Sequence, residues 1–561
     1  MISRRERFLQ ILEVLSKHGF GFALGGIKEE WRAPLARVRL IDPNKLYSQP
    51  VHLRQALEEL GPTFVKLGQV VSTRPDLLPA RYVQELTRLQ DSSPAVPPER
   101  IREMIESEPD SAAEEILAEI DPVPLATGSI GQAHAAVYKG VDVIVKVRRP
   151  GVVEEVNRDL EILSELAKLL STYWPAVEHF DLEGLADEFA QSLRDELDYL
   201  TEARNAQRMA ENFTGDPRVH IPKIFWEAST SRILTMERIR GIKINDYPAL
   251  ESAGLDRHLL AVDSTEAICR MIFEHGFFHA DPHPGNLFVE TGGRIGIIDF
   301  GMMGTLTDEF RDHLVTLMLG VVQENPRRVA AGLLGLTSQE QDVNKKELER
   351  DVAIMLRRYS NKPLHEVRVG HLMGDLIGML RRYRMHLPRE SALFLRMLVT
   401  AESVGTGLDP EFDLVSVLTP YAQRFVLHRL SPEILAKRLR DILQDAVQMG
   451  VEAPEYLRRL IVVLERGGFD VHLRADEIEP LLRRGEKIGH QVVAGAVIAA
   501  SINGMAHILA SDPDRWRRFH TPLIAGGATT VGTLTGYLVL STNVPKVRRL
   551  ASTIRLRRRA F

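Results

Sequence analysis

The alternation of apolar and polar positions divides the chain into stretches of different character. Residues 1–110 follow a helical rhythm, broken by turn signals at Asp42-Pro43-Asn44, Gly61-Pro62 and Arg74-Pro75-Asp76. Residues 91–98 are rich in proline and serine, with Ser92, Ser93, Pro94, Pro97 and Pro98. They end that rhythm and predict a linker or crossing loop. A loop of small residues follows, and then a β-branched run from Val141 to Val147. That run is short and bounded by Gly140 and Pro150, which predicts a buried strand. Residues 155–212 return to a strong helical pattern. IFWEAS (224–229) and RILTMERI (232–239) predict strands. Helices then dominate to about residue 488, with GGRIGIIDF (292–300) as the one clear late strand. No internal repeat of fixed period is visible. The mixture predicts a helix-rich α+β fold.

Beyond residue 490 the pattern changes again. Residues 491–510 and 521–541 contain no formally charged side chain. Each run is long enough to cross a hydrocarbon core of ~30 Å at ~1.5 Å per residue. The ten residues between them, SDPDRWRRFH, suffice only for a turn, so a helical hairpin is predicted. Gly532 and Gly536 form a GxxxG, which suits close helix packing in lipid. A pair of buried soluble helices is the alternative, favoured by the Ser, Thr, Asn503 and His507 content. The tail holds Lys546, Arg548, Arg549, Arg555, Arg557, Arg558 and Arg559 and no acid, which predicts a cytoplasmic position. A hairpin returns the chain to its starting side. The expectation is therefore a multi-pass protein of the cell membrane with its catalytic region in the cytoplasm. The basic amphipathic N-terminus reads either as a surface helix packed on the domain or as a peripheral membrane contact.

Composition adds bounds. A chain of 561 residues exceeds one compact core. The net charge of -5 gives no global pointer to nucleic acid. Cys269 is the single cysteine, so no disulfide framework forms within the chain. The 18 histidines form no Cys/His cluster with zinc-ligand spacing.

The candidate chemistry lies in HGFFHADPHPGNLFV, residues 275–289. Phosphoryl transfer to a hydroxyl needs a carboxylate beside the attacking group and a neutral oxygen ligand that helps to hold magnesium. Asp281 and Asn286 stand five apart, as in the kinase catalytic-loop pattern His-Arg-Asp-x-x-x-x-Asn, with His279-Ala280-Asp281 in place of His-Arg-Asp. Downstream, Ile295, Ile297 and Ile298 deliver a strand that ends in Asp299-Phe300-Gly301. Asp299 is thereby placed to hold magnesium, and Gly301 lets the chain turn away. Lys146 ends the strand VDVIVK, where a kinase places the lysine that neutralises the α- and β-phosphates. A merely solvated strand-end lysine is the alternative. Glu202, on a helical run, is positioned to clamp Lys146, or else is a surface glutamate. The small residues of LATGSIGQA let backbone N–H groups approach phosphates, although a tight strand–strand turn would look the same. Gly128 and Gly131 lack the G-x-G-x-x-G spacing.

Two features lie outside the kinase pattern. Lys66 and Gln69 share a face, one turn apart, on a helix that Pro62 begins. In Glu196-Leu197-Asp198, Asp198 shares a face with Glu202 on an ideal helix, whereas Glu196 points away. If Glu202 serves Lys146, then Asp198 or Glu196 needs another cation, and Lys66 is available. A surface salt-bridge ladder is the alternative.

These motifs together resemble the UbiB family, the AarF/ADCK kinase-like proteins, over most of residues 35–420. The family's K-x-G-Q is Lys66 to Gln69, and its E-x-D is Glu196 and Asp198. Its nucleotide loop, Ala-Ala-Ala-Ser-Ile-Gly-Gln, corresponds to Ala126, Thr127, Gly128, Ser129, Ile130, Gly131 and Gln132. Thr127 and Gly128 replace alanines, which leaves the choice between ATP and ADP open. The resemblance implies a bilobal protein-kinase-like fold, with an N-terminal extension over the usual substrate cleft, and ATP and Mg2+ as cofactors. It implies catalytic roles for Lys146, Glu202, His279 and Asp281, and metal ligation by Asn286 and Asp299. Nucleotide contacts would come from the loop, Lys146 and Glu237, together with Lys66, Gln69, Glu196 and Asp198. The implied activity is that of an ATPase or atypical kinase supporting ubiquinone or other isoprenoid-quinone biosynthesis at a membrane. A membrane lipid or quinone precursor and quinone-biosynthesis proteins would be its partners.

The implied organisation is an N-terminal helical segment (1–50), the K-x-G-Q extension (51–110) and a first lobe with the E-x-D helix (111–239). A helical second lobe (240–488), a transmembrane hairpin (491–541) and a basic tail (542–561) follow. One alternative is a true protein or small-molecule kinase, against which no A-P-E follows DFG at the usual distance. Another is a catalytically silent, membrane-anchored lipid-binding scaffold.

Overall fold

Ser3 opens the first helix, α1 (Arg4–Lys17), through a reciprocal cap. Its Oγ accepts the Glu6 N–H at 3.3 Å, and Glu6 Oε2 accepts the Ser3 N–H at 2.9 Å. The computed structural model describes residues 3–20 and 49–429, apart from 73, 75–76, 90–93, 109–114, 117–118, 174–180, 340–342 and 360–368. The chain divides into two units, Met1–Arg438 and Leu439–Phe561, and every described residue belongs to the first.

The apolar face of α1 (Phe8, Ile11, Leu12, Val14) is buried with Leu57 of α2 (Gln49–Leu60) and Phe64 of α3 (Pro62–Ser72). Leu86 of α4 (Ala80–Leu86) joins this core, whereas α5 (Pro98–Glu106) buries Ile101 and Ile105 with Val143 and Val145. Ile162 of α6 (Val152–Tyr173) closes the same core from the first lobe. Arg7 pins the two together. Its Nε and Nη2 donate to the two Asp159 oxygens at 2.8 Å each, and Nη2 also donates to the Leu60 carbonyl at 2.7 Å. The N-terminal helix is thus packed on the domain.

The first sheet is antiparallel, in the order β1 (Ala126–Thr127), β2 (Gly131–Tyr138), β3 (Val141–Arg148), β5 (Ile233–Glu237). Lys139 and Gly140 both have positive φ, which suits the two-residue turn joining β2 to β3. Val143, Val145 and Val147 are fully buried on one face of β3, and Lys146 lies on the other. The helical run predicted over 155–212 is three helices: α6, α7 (Leu182–Leu197) and α8 (Tyr199–Asn212). The chain leaves helical geometry at Asp198, whose side chain caps α8 by accepting the Leu200 N–H at 3.1 Å. Asp198 and Glu202 therefore share no continuous helix face.

A second sheet runs β4 (Val219–His220), β9 (Ile295–Ile297), β8 (Leu287–Val289), β6 (Ile242–Lys243). The expected strand IFWEAS is instead a 3-10 turn, Trp226–Ala228, with Ile224 alone bridging to Met236. Helices α9 (Tyr247–Ser252) and α10 (Arg257–Cys269) lead into a π-helical turn, Arg270–His275, which ends at Gly276 in the left-handed region. Strand β7 (Phe277–His279) then pairs with β10 (Met303–Thr305), placing His279 opposite Met303. Short strands on both sides of the catalytic loop had no clear periodicity and were not expected. The remainder is α11 (Asp308–Val322), α12 (Pro326–Gly335), β11 (Ser338–Gln339), α13 (Lys345–Arg357), α14 (Val369–Arg382), β12 (Met385–His386), α15 (Arg389–Leu408) and α16 (Leu414–Arg429).

One near-duplication escapes a search for fixed periods. DVAIMLRRY (351–359) recurs as DLIGMLRRY (375–383). In space the two copies pair crosswise. Tyr359 Oη donates to Asp375 at 2.9 Å and Tyr383 Oη to Asp351 at 2.8 Å, with Arg358 and Arg382 on the same carboxylates. Burial, with the neighbouring carboxylates, pushes both phenols up to about 12.

The membrane expectation needs correction. No helix among the described residues is long and apolar enough to cross a membrane, which contradicts a multi-pass location with a cytoplasmic catalytic region. The longest of them, α6, spans 22 residues but carries Glu154, Glu155, Asp159, Glu161, Glu165 and Lys168 along its length. The expected hairpin (491–541) and basic tail (542–561) lie outside the described residues.

Arg7→Met tests the anchoring of α1. It leaves the Asp159 carboxylate buried without its guanidinium, which costs roughly 3–5 kcal/mol. The expected result is a lower urea midpoint at unchanged slope. An unchanged midpoint would reduce the pair to a bystander.

Candidate active site

Strand β3 carries Lys146 between Ala133 of β2 and Leu234 of β5, so its side chain leaves a rigid sheet. Lys146 Nζ donates to Glu202 Oε1 at 2.5 Å and lies 3.9 Å from Asp299 Oδ1. The same Glu202 oxygen accepts the Phe300 N–H at 3.1 Å. Asn205, one turn along α8, donates to the Phe300 carbonyl at 3.0 Å. Both polar groups of the Phe300 backbone are thus held by one face of α8.

Burial disfavours the Lys146 ammonium, but the Glu202 and Asp299 charges outweigh it and hold its pKa above the ordinary lysine value. Lys146, and more weakly Lys66, hold the Asp299 carboxyl below its usual range against the opposing effect of burial. Burial pushes Glu202 the other way, upward. Its two donors, one of them cationic, argue that the carboxylate stays ionised.

Asp299 adopts φ 66°, a left-handed conformation that aspartate tolerates better than most residues. Two bonds hold it there. Its Oδ1 accepts the Gly301 N–H at 3.2 Å, and its carbonyl meets His279 Nε2 at 2.6 Å. His279 Nδ1 accepts the Asp281 N–H at 3.1 Å, which assigns the ring proton to Nε2 and makes His279 the donor to Asp299. One imidazole therefore joins the catalytic loop to the DFG turn. Asn286 closes the loop, with Nδ2 donating to the Asp281 carbonyl at 3.2 Å.

Magnesium commonly takes one or two carboxylates and fills its remaining positions with water and phosphate oxygens. The Asp299 carboxylate, half exposed, and the Asn286 side-chain oxygen fit that donor set. Among the described residues no cluster of three or more His, Cys, Asp or Glu could hold an ion by itself. A metal here would thus depend on the nucleotide's phosphates.

The loop before β2 closes as a tight turn, with the Gly128 N–H on the Gly131 carbonyl at 2.8 Å. Its larger side chains turn inward. Ile130 joins an apolar cluster with Val156, Phe189 and Leu193. Ser129 is buried, and Gln132 is spent on the Val96 N–H at 2.9 Å and on His134. A Cβ at Gly131 would fall 2.0 Å from the Tyr199 hydroxyl. Ala126 and Thr127 are held in β1 by pairing with Ala133 and Gln132. What remains for a nucleotide is largely backbone.

Lys66 makes an ion pair with Glu196, which answers which acid takes that cation, while Asp198 caps α8. Gln69 turns elsewhere, donating to the Leu89 carbonyl at 3.3 Å. Glu237 ends β5, where its carboxylate accepts the Lys223 N–H at 3.1 Å and lies 3.4 Å from His220 Nε2.

Arg396 on α15 was not anticipated. Its Nη2 lies 2.9 Å from Asp281 Oδ2. No spacing rule links residues so far apart. A weaker signal existed, since residues 281–286, DPHPGN, contain no Lys or Arg beside the aspartate.

A half-buried strand lysine, its helix glutamate, an Asp-x4-Asn loop and a DFG turn, all on a helix-rich α+β frame, define a protein-kinase-like protein of an atypical kind. The ABC1 atypical kinase-like domain matches residues 88–333, and the UbiB helical domain matches residues 352–413. A Marinobacter nauticus protein named probable protein kinase UbiB is 34% identical over 451 residues, 78% of this chain and 82% of its own. An uncharacterised Synechocystis protein is 36% identical over 77% of this chain and 75% of its own. The chloroplastic protein ACTIVITY OF BC1 COMPLEX KINASE 8 of Arabidopsis thaliana is 33% identical over 82% of this chain and 65% of its own. A solved Rv3197–erythromycin complex from Mycobacterium tuberculosis aligns over 64% of this chain and 92% of that one, with a TM-score of 0.46 and 26% identity. The chain belongs to the UbiB family of atypical kinase-like proteins.

Glu202→Gln preserves shape but removes the charge facing Lys146. A hydrogen bond to a charged partner contributes about 2 kcal/mol, and the urea midpoint is expected to fall accordingly. A midpoint equal to wild type would mean that Asp299 alone satisfies Lys146.

Proposed function

We propose that the chain binds ATP with magnesium and catalyses phosphoryl transfer, as an ATPase or atypical kinase, in support of ubiquinone or other isoprenoid-quinone metabolism. The observation that carries this reading is the bridge from Lys146 through Glu202 Oε1 to the Phe300 N–H, which ties the strand lysine to the DFG turn. An ion-pair ladder on a surface would have no reason to include that backbone donor. The quinone assignment rests on the family resemblance.

In this reading Lys146, fixed by Glu202, orients the α- and β-phosphates. Asp281 orients the attacking water or hydroxyl, and Arg396 holds one of its carboxylate oxygens. Asn286 and Asp299 would hold magnesium, which when bound neutralises charge developing on the phosphoryl oxygens. His279 works through others, fixing the Asp299 backbone and the Asp281 N–H. Most of the rate enhancement in such a site comes from position and charge rather than covalent chemistry.

Asp299→Asn is expected to lower magnesium-dependent ATP turnover on the order of a thousandfold, several kcal/mol of barrier, at an unchanged melting profile. Phosphate release is measured beside phosphate incorporated into lipid and protein fractions, which separates an ATPase from a kinase. Turnover equal to wild type in a folded variant would remove the enzymatic reading and leave a binding scaffold.

A further inference from the structure

The partner of Asp281 comes from outside the catalytic loop. Arg396 Nη2 lies 2.9 Å from Asp281 Oδ2, and the two side chains are 25% and 26% exposed. Arg7 shows how this chain builds an anchoring arginine. It is 9% exposed and sets two nitrogens on the two oxygens of a fully buried Asp159 carboxylate. Arg396 differs on each count, with one nitrogen on one oxygen in a pair that stays partly open to solvent. Among the described residues it has no other ion-pair partner, so most of its five N–H donors are left for another acceptor.

The root of this side chain is fixed although its head is held at one point. Helix α15 buries Phe394, Met397 and Leu398 around Arg396. Phe394 packs edge-on against Phe278, with ring centroids 6.4 Å apart, and Phe278 directly precedes His279. The loop itself brings no cation, since residues 281–286, DPHPGN, contain no Lys or Arg. Lys146 faces Glu202 and Lys66 faces Glu196, both on first-lobe helices. Phosphoryl transfer spreads negative charge over the oxygens of the migrating group, beside the attacking oxygen that Asp281 orients. A cation is therefore useful on the Asp281 side as well as at the α- and β-phosphates.

We propose that Arg396 is a further catalytic residue, an arginine supplied in cis that moves from Asp281 onto the oxygens of the transferred phosphoryl group. This role rests on the phosphoryl-transfer reading above. In the step itself the attacking oxygen bonds to the γ-phosphorus while the bond from that phosphorus to the β–γ bridging oxygen breaks. ADP leaves with that electron pair, and the proton of the attacking group passes to Asp281. Arg396 stays protonated throughout. Its departure frees Oδ2 for that proton, and its arrival puts positive charge where negative charge develops. A planar fork suits the task, because two parallel N–H groups can span two phosphoryl oxygens where an ammonium offers a point charge.

The test uses the full chain and measures kcat, Mg-ATP affinity, and Mg-ADP affinity with and without aluminium fluoride, which stands in for the phosphoryl group in transit. Arg396→Gln is expected to lower kcat on the order of a thousandfold while Mg-ATP and Mg-ADP affinities stay as in wild type. Aluminium fluoride should tighten Mg-ADP on the order of a hundredfold in wild type and not at all in Arg396→Gln. Arg396→Lys, which keeps the charge and loses the fork, should recover part of both losses. An arginine that only ties α15 to the loop would instead lower the urea midpoint in Arg396→Gln and leave the aluminium fluoride effect intact. That pattern, or wild-type kcat in either variant, would overturn the inference and spare the proposed function. A wild-type chain that turns over no Mg-ATP would sink the proposed function and this role with it.

Discussion

Glu202 Oε1 accepts from two donors of different origin, the Lys146 ammonium and the Phe300 amide. One oxygen atom therefore fixes β3, α8 and the DFG turn relative to one another. Oriented charge is useful in phosphoryl transfer only if it is in place before the reaction, and here the sheet, the helix and the turn each supply one constraint. The site has no slack at this point. Glu202 is buried, Phe300 is fully buried, and the second Phe300 polar group is taken by Asn205. The left-handed Asp299 is tolerable because Phe300 after it is held in this way and its own carbonyl and Oδ1 are hydrogen-bonded.

The sequence reveals this centre because kinase chemistry imposes local spacings. Asp281 to Asn286, and the strand running into Asp299, each lie within a few residues, and local spacing survives without knowledge of the fold. Lys146 was partly legible for a related reason, since the β-branched run before it favours a buried strand, while the lysine alone looks like any solvated strand end. The break at Asp198 was not legible. Residues 182–212 keep a helical apolar rhythm across it, and the aspartate that ends one helix also caps the next. Counting faces through that break made Asp198 look like a neighbour of Glu202. Arg396 was invisible for a different reason. Its contact with Asp281 is distant in sequence, and an arginine within a helical periodicity looks like any solvated one. IFWEAS misled through composition, because aromatic and β-branched residues favour strands while the partner strand accepted only Ile224.

The loop before β2, expected to approach phosphates, is built differently from what its small residues suggest. Its Ile130, Ser129 and Gln132 are buried, which leaves mainly backbone facing outward. The Tyr199 hydroxyl beneath Gly131 explains why that position excludes any side chain, an argument from space rather than from backbone angle.

The crosswise pairing of α13 and α14 carries a mechanical meaning of its own. The two nine-residue copies encode the same handshake twice, in opposite directions. Sliding one helix along the other by a single turn, about 5.4 Å, would strip both aspartates of their tyrosine and arginine together. Partial slippage offers no intermediate resting place, because neither clamp can be kept while the other is released. The two segments are therefore keyed against sliding past one another.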